Sequence, residues 1–242
     1  MAALLEVEGI SKSFRGLRAL RDVSFDVPQG EIAGLIGPNG AGKTTCFNVI
    51  AGTFAADTGS VRFDGRPIHY SRPDLICAAG IGRTFQIVKP FTGLSVLDNV
   101  MVGALLREKT TGAARALSMR TLEKLGLAPK RDELASSLTL PDRKRLEVAR
   151  ALATRPKLLL LDEVMAGLRP TECDQIVAVF RELNRTDGLT ILLIEHVMRA
   201  VMALARQIVV LHHGEVIARG APRQVVSDPA VLECYLGEET EV

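Results

Sequence analysis

A glycine-rich segment near the N-terminus has the residue types and spacing of a phosphate-binding loop. It follows the pattern G-x-x-x-x-G-K-[ST] and comprises Gly37, Pro38, Asn39, Gly40, Ala41, Gly42, Lys43 and Thr44, with Thr45 next. Glycines let a backbone wrap closely, so that several N–H groups can face one anion. Lys43 supplies a cation for the β- and γ-phosphates of a nucleotide, and the Thr44 hydroxyl can ligate Mg²⁺. We therefore predict that residues 37–45 bind a nucleotide; the alternative is an ordinary glycine-rich turn.

Two carboxylates form a second candidate site. Asp162 and Glu163 directly follow the apolar run 158–161. A buried strand that ends in acids delivers them to the carboxyl edge of a parallel sheet, where a phosphate-binding loop also lies. There Asp162 can hold Mg²⁺ through water, and Glu163 can accept a proton from water that attacks the γ-phosphate. For an isolated Asp-Glu pair the alternative is a helix N-cap.

A histidine follows another apolar run. His196 comes after residues 191–194 and Glu195. At the same edge of the sheet its ring could donate a hydrogen bond to the γ-phosphate, whereas an isolated histidine would be interpreted as a partly buried structural side chain.

The apolar patterns around these residues predict a parallel sheet with helices. A short apolar run at 32–36 precedes the glycines, and helical apolar spacing follows at 45–51. The runs 158–161 and 191–194 are continuously apolar, as strands buried on both faces are. Because residues 173–183 between them have a helical pattern, strands and helices alternate as in an α/β fold.

Other segments predict additional layers. Residues 23–27 and 61–64 alternate apolar and polar side chains, which is typical of half-buried antiparallel strands. Residues 95–155 are mostly helical in pattern, residues 208–218 resemble a hairpin, and the tail from Arg223 predicts one or two short helices.

Composition excludes several classes of protein. The chain has 242 residues, of which 47% are hydrophobic, so a substantial core can form. No apolar run is long enough to span a membrane, and the first residues carry acids where a secretory signal carries bases, so we expect a cytoplasmic protein. A net charge of +2, two tyrosines and no tryptophan give no support for a nucleic-acid partner. The four cysteines are far apart, so we expect reduced, mostly buried thiols.

Together these residues resemble the ATP-binding subunit of an ABC transporter over nearly the whole chain. The resemblance implies ATP and Mg²⁺ as ligands. It implies an α/β fold with a P-loop NTPase (RecA-like) core, an antiparallel β subdomain and an inserted helical subdomain. The expected organisation is a single ABC ATPase domain over residues 1–242, with the core at about 1–86 and 156–242 and the helical subdomain at about 87–155.

The resemblance also implies roles for individual side chains. Gln86 matches the Q-loop glutamine of the family, and Phe14 matches the aromatic residue that stacks on adenine, although a core position is an equally good interpretation of Phe14. The implied catalytic residues are Lys43, Gln86, Glu163 and His196, and the implied metal ligands are Thr44, Gln86 and Asp162.

Four segments are similar to branched-chain amino-acid importers within this family: residues 83–86, 95–100, 193–196 and 234–238. Sister amide or urea importers and a lipopolysaccharide-exporter ATPase share parts of them, so those functions stay open. A soluble ABC ATPase acting on DNA or ribosomes fits less well, because the chain has no coiled-coil arm or basic tail. The implied partners are a second ABC ATPase subunit, two membrane permease subunits and, indirectly, a periplasmic binding protein.

This arrangement would place the chain peripherally on the inner face of the cell membrane. The permeases are expected to dock near residues 86–101, with apolar surface supplied by Phe85, Phe91, Val96 and Leu97.

The segment that aligns with the family signature Leu-Ser-Gly-Gly-Gln differs from it and spans residues 138–142, Leu-Thr-Leu-Pro-Asp. In the family, the signature contacts the γ-phosphate bound by the other subunit. Pro141 has no N–H to donate, and Asp142 places a negative charge in the first helical turn, where it offsets the helix dipole. Thr139 and Asp142 also have the spacing of a capping box, which is a purely structural alternative.

Two more positions depart from the family. Val164 replaces the usual proline after Glu163, and Arg169 stands where the D-loop usually has Asp or Asn. The nucleotide-clamping half of the site therefore matches the family, whereas the half offered to a partner differs. A homodimer, a heterodimer with a sister ATPase, and a regulatory subunit that barely hydrolyses ATP all stay open. Glu163 and His196 argue against the regulatory subunit, whereas the altered signature argues for it.

Overall fold

A computed structural model of the chain describes residues 3–236. Elements are numbered in chain order. One layer is an antiparallel sheet with the strand order β2-β1-β4-β5, built from β1 (Ala3–Phe14), β2 (Leu17–Pro28), β4 (Thr58–Phe63) and β5 (Arg66–Pro67). The alternating sequence of β2 and β4 buries one face and leaves the other in water, as predicted.

The central layer is a six-stranded sheet with the order β10-β9-β3-β8-β7-β6. Its neighbours are parallel except for the hairpin of β9 and β10. β3, β7 and β8 are buried along their whole length, which explains their continuously apolar sequences. The strands are β3 (Ile32–Ile36), β6 (Ile81–Arg83), β7 (Leu158–Asp162), β8 (Thr190–Ile194), β9 (Gln207–His212) and β10 (Glu215–Gly220).

Helices cover the central sheet and follow its strands. The helices are α1 (Lys43–Ile50), α2 (Pro73–Ala79), α3 (Val96–Ala104), α4 (Thr111–Lys124), α5 (Leu140–Ala153), α6 (Pro170–Asp187), α7 (Met198–Leu204), α8 (Pro222–Val225) and α9 (Pro229–Leu236). α6 shows why such segments are helical: Pro170 occupies its first turn, and Gly188 ends it in the left-handed conformation with φ of 65°.

Alternate residues of each central strand enter different cores. Leu159 and Leu161 of β7 belong to the apolar cluster shared with α3–α7, whereas Leu158 and Leu160 belong to the cluster shared with α1 and the antiparallel sheet. Because successive side chains point to opposite faces, the central sheet lies between two packed layers. This packing fixes the strand ends, where the candidate site residues lie.

The predicted fold class is confirmed: strands, hairpin and tail helices lie where the patterns indicate. Two boundaries differ slightly. α1 begins at Lys43 rather than Thr45, and β4 ends at Phe63 because Asp64 enters a turn with φ of 51°. Residues 95–155 contain α3, α4 and α5, while the division into a core and a helical subdomain stays a prediction.

Two expectations from composition concern the described residues. The four cysteines form no disulfide there, and three of them are buried. Among residues 3–236, no helix is both long and apolar enough to cross a bilayer. Gly237 and Glu238, at the end of the segment 234–238, lie outside the described residues.

Candidate active site

The glycine-rich loop links the end of β3 to α1 and presses against two other strands. Gly37 has φ of 146°, and a Cβ there would lie 2.0 Å from the Leu211 carbonyl oxygen. Gly42 has φ of 102°, and its Cβ would lie 2.5 Å from the Ala19 oxygen. Only glycine fits such close approaches at positive φ, so these two positions hold the loop in its wrapped form.

Lys43 lies inside this loop rather than in solvent. Its Nζ donates to the carbonyl oxygens of Gly37 at 2.6 Å and Pro38 at 2.8 Å. Gly42 is the N-cap of α1 and has no side chain to accept from the first helical N–H groups. The Thr44 side chain is exposed at this helix end, and Thr45 beside it is half-buried.

A cavity of about 490 Å³ opens over the loop. It is lined by Phe14, Leu17, Arg18, Ala19, Arg21, Asn39, Gly40, Ala41, Gly42, Lys43, Thr44, Thr45, Gln86, Glu163 and His213. Phe14 is 37% exposed and meets Phe54 edge to face, so it is not a core residue. One cavity thus brings together the loop, the predicted adenine contact and three of the four predicted catalytic side chains, namely Lys43, Gln86 and Glu163.

Asp162 is buried at the end of β7 and forms an ion pair with Arg83, 3.2 Å from Nη2 to Oδ2. Arg83 also donates to Asn48 at 2.7 Å. Burial raises the pKa of Asp162, and Arg83 opposes that shift. Within the described residues the other oxygen, Oδ1, is buried without a hydrogen-bond partner. Asp162 lines a second cavity of about 410 Å³ together with Thr44 and Gln86.

Glu163 is held at both carboxylate oxygens. Gln86 Nε2 donates to Oε2 at 2.7 Å, and His196 Nε2 lies 3.1 Å from Oε1. Since Glu163 and Gln86 also line the cavity above the loop, a carboxylate of fixed orientation faces the place where phosphates would bind. The structure therefore brings the glycine loop, Gln86, Glu163 and His196 together; the loop, Glu163 and His196 were expected at one edge of the sheet, and Gln86 was expected there only from the family resemblance.

Two buried charges beside this site were not predicted. Lys144 of α5 donates to the carbonyl oxygens of Glu163 at 3.0 Å and Gln86 at 3.3 Å, and burial lowers its pKa. Glu195 accepts from the Met165 N–H at 2.9 Å. Sequence spacing could have indicated that both side chains are buried. Lys144 shares a helix face with Val148, and Glu195 continues the β8 face of Leu193.

The altered signature segment contradicts two expectations. Thr139 makes no cap bond to the start of α5, so the capping box is not formed; its hydroxyl donates to Asp142 Oδ2 at 2.9 Å. Asp142 also accepts from Lys130 at 2.5 Å and lies 3.8 Å from Arg145. Burial works against ionisation of Asp142, but the bonds from Lys130 and Thr139 outweigh it and lower its pKa. Its charge is thus balanced locally and opposes the helix dipole less than expected.

The expected apolar docking surface is only partly correct. Phe85 and Phe91 are exposed, at 55% and 45%, but Val96 and Leu97 are buried on the inner face of α3. Ile87, 69% exposed, supplies apolar surface instead. Phe85, Ile87 and Phe91 therefore contribute exposed apolar surface, whereas Val96 and Leu97 do not.

Comparisons with known proteins agree with this geometry. Residues 20–166 match the family model described as ABC transporter, and residues 215–241 match the model described as branched-chain amino acid ATP-binding cassette transporter. The chain is 36% identical to the high-affinity branched-chain amino acid transport ATP-binding protein LivG of Escherichia coli K12, covering 97% of this chain and 98% of LivG. It is 35% identical to the lipopolysaccharide export system ATP-binding protein LptB of the same strain, covering 98% of each.

A solved structure has the same fold. The ADP conformation of MJ1267, an ATP-binding cassette of an ABC transporter, superimposes with a TM-score of 0.89 at 33% identity and covers 98% of this chain and all of the other.

Proposed function

The chain belongs to the ABC transporter family, and we propose that it is the ATP-hydrolysing motor subunit of an importer for branched-chain or other hydrophobic amino acids. As a member of this family it is an ATPase and binds ATP. The main support for a role in ATP hydrolysis is the position of Glu163, which is held between Gln86 and His196 at the cavity that the glycine loop lines.

In this proposal the loop binds the phosphates. The N–H groups of residues 37–45 and the N-terminal end of α1 face the anion, and Lys43 exchanges its bonds to Gly37 and Pro38 for the β- and γ-phosphates. Phe14 stacks on adenine at the exposed side of the same cavity.

The side chains present fit Mg²⁺. Asp162 Oδ1 is a buried carboxylate oxygen without a partner in the described residues, and the Thr44 hydroxyl and Gln86 amide border the same cavity. Mg²⁺ is usually held by one or two carboxylates together with phosphates and water, which suits a site where Asp162 supplies the free carboxylate oxygen. When bound, the ion neutralises charge on the phosphates.

Glu163 is the proposed general base. Its carboxylate accepts a proton from the attacking water, and the bonds from Gln86 and His196 keep it oriented for that step. Lys43 balances negative charge on the transferred phosphoryl group. His196 is exposed beside Glu163, and in this proposal its ring also donates a hydrogen bond to the γ-phosphate when ATP is bound.

The transported solute follows from similarity. Identity to LivG over nearly the whole chain and the match of residues 215–241 favour branched-chain amino acids. The similarity to LptB supports a second candidate, lipopolysaccharide export. We further propose a peripheral protein on the inner face of the cell membrane that pairs with a second ABC ATPase, docks two permeases near Phe85, Ile87 and Phe91, and serves a periplasmic binding protein.

An uptake assay separates these functions. Deleting the gene should abolish binding-protein-dependent uptake of labelled leucine, and the wild-type gene should restore it. Glu163→Gln serves as the matched control, because it keeps the shape of the side chain and should fail to restore uptake. Normal leucine uptake in the deletion strain, with lipopolysaccharide retained in the inner membrane, would establish the export function instead.

A further inference from the structure

Glu163 lies in the turn that follows β7, and the backbone of this turn is strained. Glu163 has φ of 50°, a left-handed conformation that is costly for a residue other than glycine. Its N–H donates to the Ile194 oxygen at 2.9 Å, and its carbonyl oxygen accepts from Lys144 at 3.0 Å. Because surrounding contacts impose such a conformation, those contacts also decide where the Glu163 carboxylate points.

Glu195 binds the next part of the same turn. The Glu195 side chain is only 3% exposed. Its carboxylate accepts a hydrogen bond from the Met165 N–H at 2.9 Å and a second one from the Val164 N–H. Val164 and Met165 are both buried. Where the family has proline, Val164 brings an additional N–H into the interior, and a buried N–H without an acceptor is destabilising.

Three consecutive residues at the end of β8 therefore contact the turn 163–165. The Ile194 carbonyl holds the Glu163 backbone, Glu195 holds the backbone of the following residues, and His196 contacts the Glu163 carboxylate. We propose that Glu195 is a positioning residue for ATP hydrolysis: by holding the backbone at Val164 and Met165 it keeps Glu163 between Gln86 and His196. This inference rests on the proposed role of Glu163 as the base.

Because the charge of Glu195 changes with pH, its positioning role can be tested by measuring turnover against pH. Burial raises the pKa of Glu195 from 4.5 to about 7; facing it are Lys144 from α5, Glu163 from the turn and Cys173 from α6. Above that pKa the carboxylate gives charge-assisted bonds to the turn, and below it the bonds weaken. The native state binds the proton more tightly than the unfolded chain, so ionising Glu195 lowers stability as pH rises from about 4.5 to about 7.

Enzyme kinetics give the first test. At pH 8, Glu195→Gln should lower turnover about tenfold, the value of one charge-assisted hydrogen bond, with unchanged affinity for Mg·ATP and no loss of stability in urea. Wild-type turnover should fall as pH decreases through about 7, and this dependence should flatten in the variant. The matched control is Glu108→Gln, which removes a half-buried carboxylate that pairs with Arg155 rather than with the turn; it should keep the wild-type pH profile.

Amide hydrogen exchange tests the same contact without hydrolysis. In Glu195→Ala, the N–H groups of Val164 and Met165 should exchange about tenfold faster or more, while those of β3 keep their protection. Unchanged protection there, or wild-type turnover and pH profile in Glu195→Gln, overturns the inference. If Glu163→Gln keeps full turnover, the proposed base is wrong instead, and the exchange result still decides whether Glu195 holds the turn.

Discussion

The altered signature segment leads to a prediction about ATP hydrolysis in which Pro141 matters more than Asp142. If this segment offers hydrogen bonds to a nucleotide held by the partner subunit, Pro141 removes one N–H donor. Asp142 matters less, because Lys130 and Arg145 balance its charge. Restoring the donor with Pro141→Gly should therefore raise the ATPase rate of the isolated protein, whereas Asp142→Gln alone should change it little.

The size of the gain follows from the missing bond. A hydrogen bond to a charged group contributes about 1.5–3 kcal/mol, and each 1.4 kcal/mol is a factor of ten. If dimer clamping limits turnover, we expect about a tenfold to hundredfold gain. The loss of the partly exposed Lys130–Asp142 pair costs at most about 1 kcal/mol of stability.

The assay is steady-state ATP hydrolysis measured against protein concentration. Pro141→Ala is the matched control for backbone flexibility, since it restores the N–H without adding glycine; both variants should gain. If neither is faster, or if the wild type already hydrolyses ATP briskly by pairing with itself, clamping is not impaired. The segment is then a tolerated variant, and the case for a heterodimer with a sister ATPase is lost.

Four further substitutions test separate parts of the site. Lys43→Ala should abolish tight Mg·ATP binding in calorimetric titration while the protein stays folded; unchanged affinity would rule out the loop assignment. Glu163→Gln should bind ATP but turn over about 10²–10⁴-fold more slowly, because an amide cannot accept the proton. His196→Ala should lower turnover with nearly unchanged ATP affinity. Arg83→Met leaves Asp162 buried without its counter-charge and should cost about 3–5 kcal/mol in urea unfolding; a cost below about 1 kcal/mol would mean that the pair is not needed.

The sequence predicts the placement of the main site residues for a simple reason. β3, β7 and β8 are parallel, so residues that directly follow them meet at one edge, and the glycine pattern identifies that edge as a phosphate site. Local spacing was enough to bring Lys43, Glu163 and His196 together.

Contacts between distant polar groups could not be predicted in this way. Periodicity tells which face of an element is buried, but not which charge meets which: Arg83 and Asp162 are 79 residues apart, and Lys144 reaches the site from α5. The same limit explains the docking surface. Phe85 and Val96 are both apolar, and only the packing of α3 decides that Val96 faces inward.

The hydrogen bonds of Lys43 and those of Glu163 are expected to affect different steps, ATP binding and turnover respectively. Lys43 is hydrogen-bonded to its own loop, so phosphates must replace two bonds to carbonyl oxygens, and the net gain is a difference between similar interactions. Glu163, in contrast, is oriented by Gln86 and His196 through bonds that do not depend on the loop. Substitutions at Lys43 should therefore act on ATP affinity, whereas those around Glu163 should act on turnover, because they disturb an orientation that exists before the phosphates arrive.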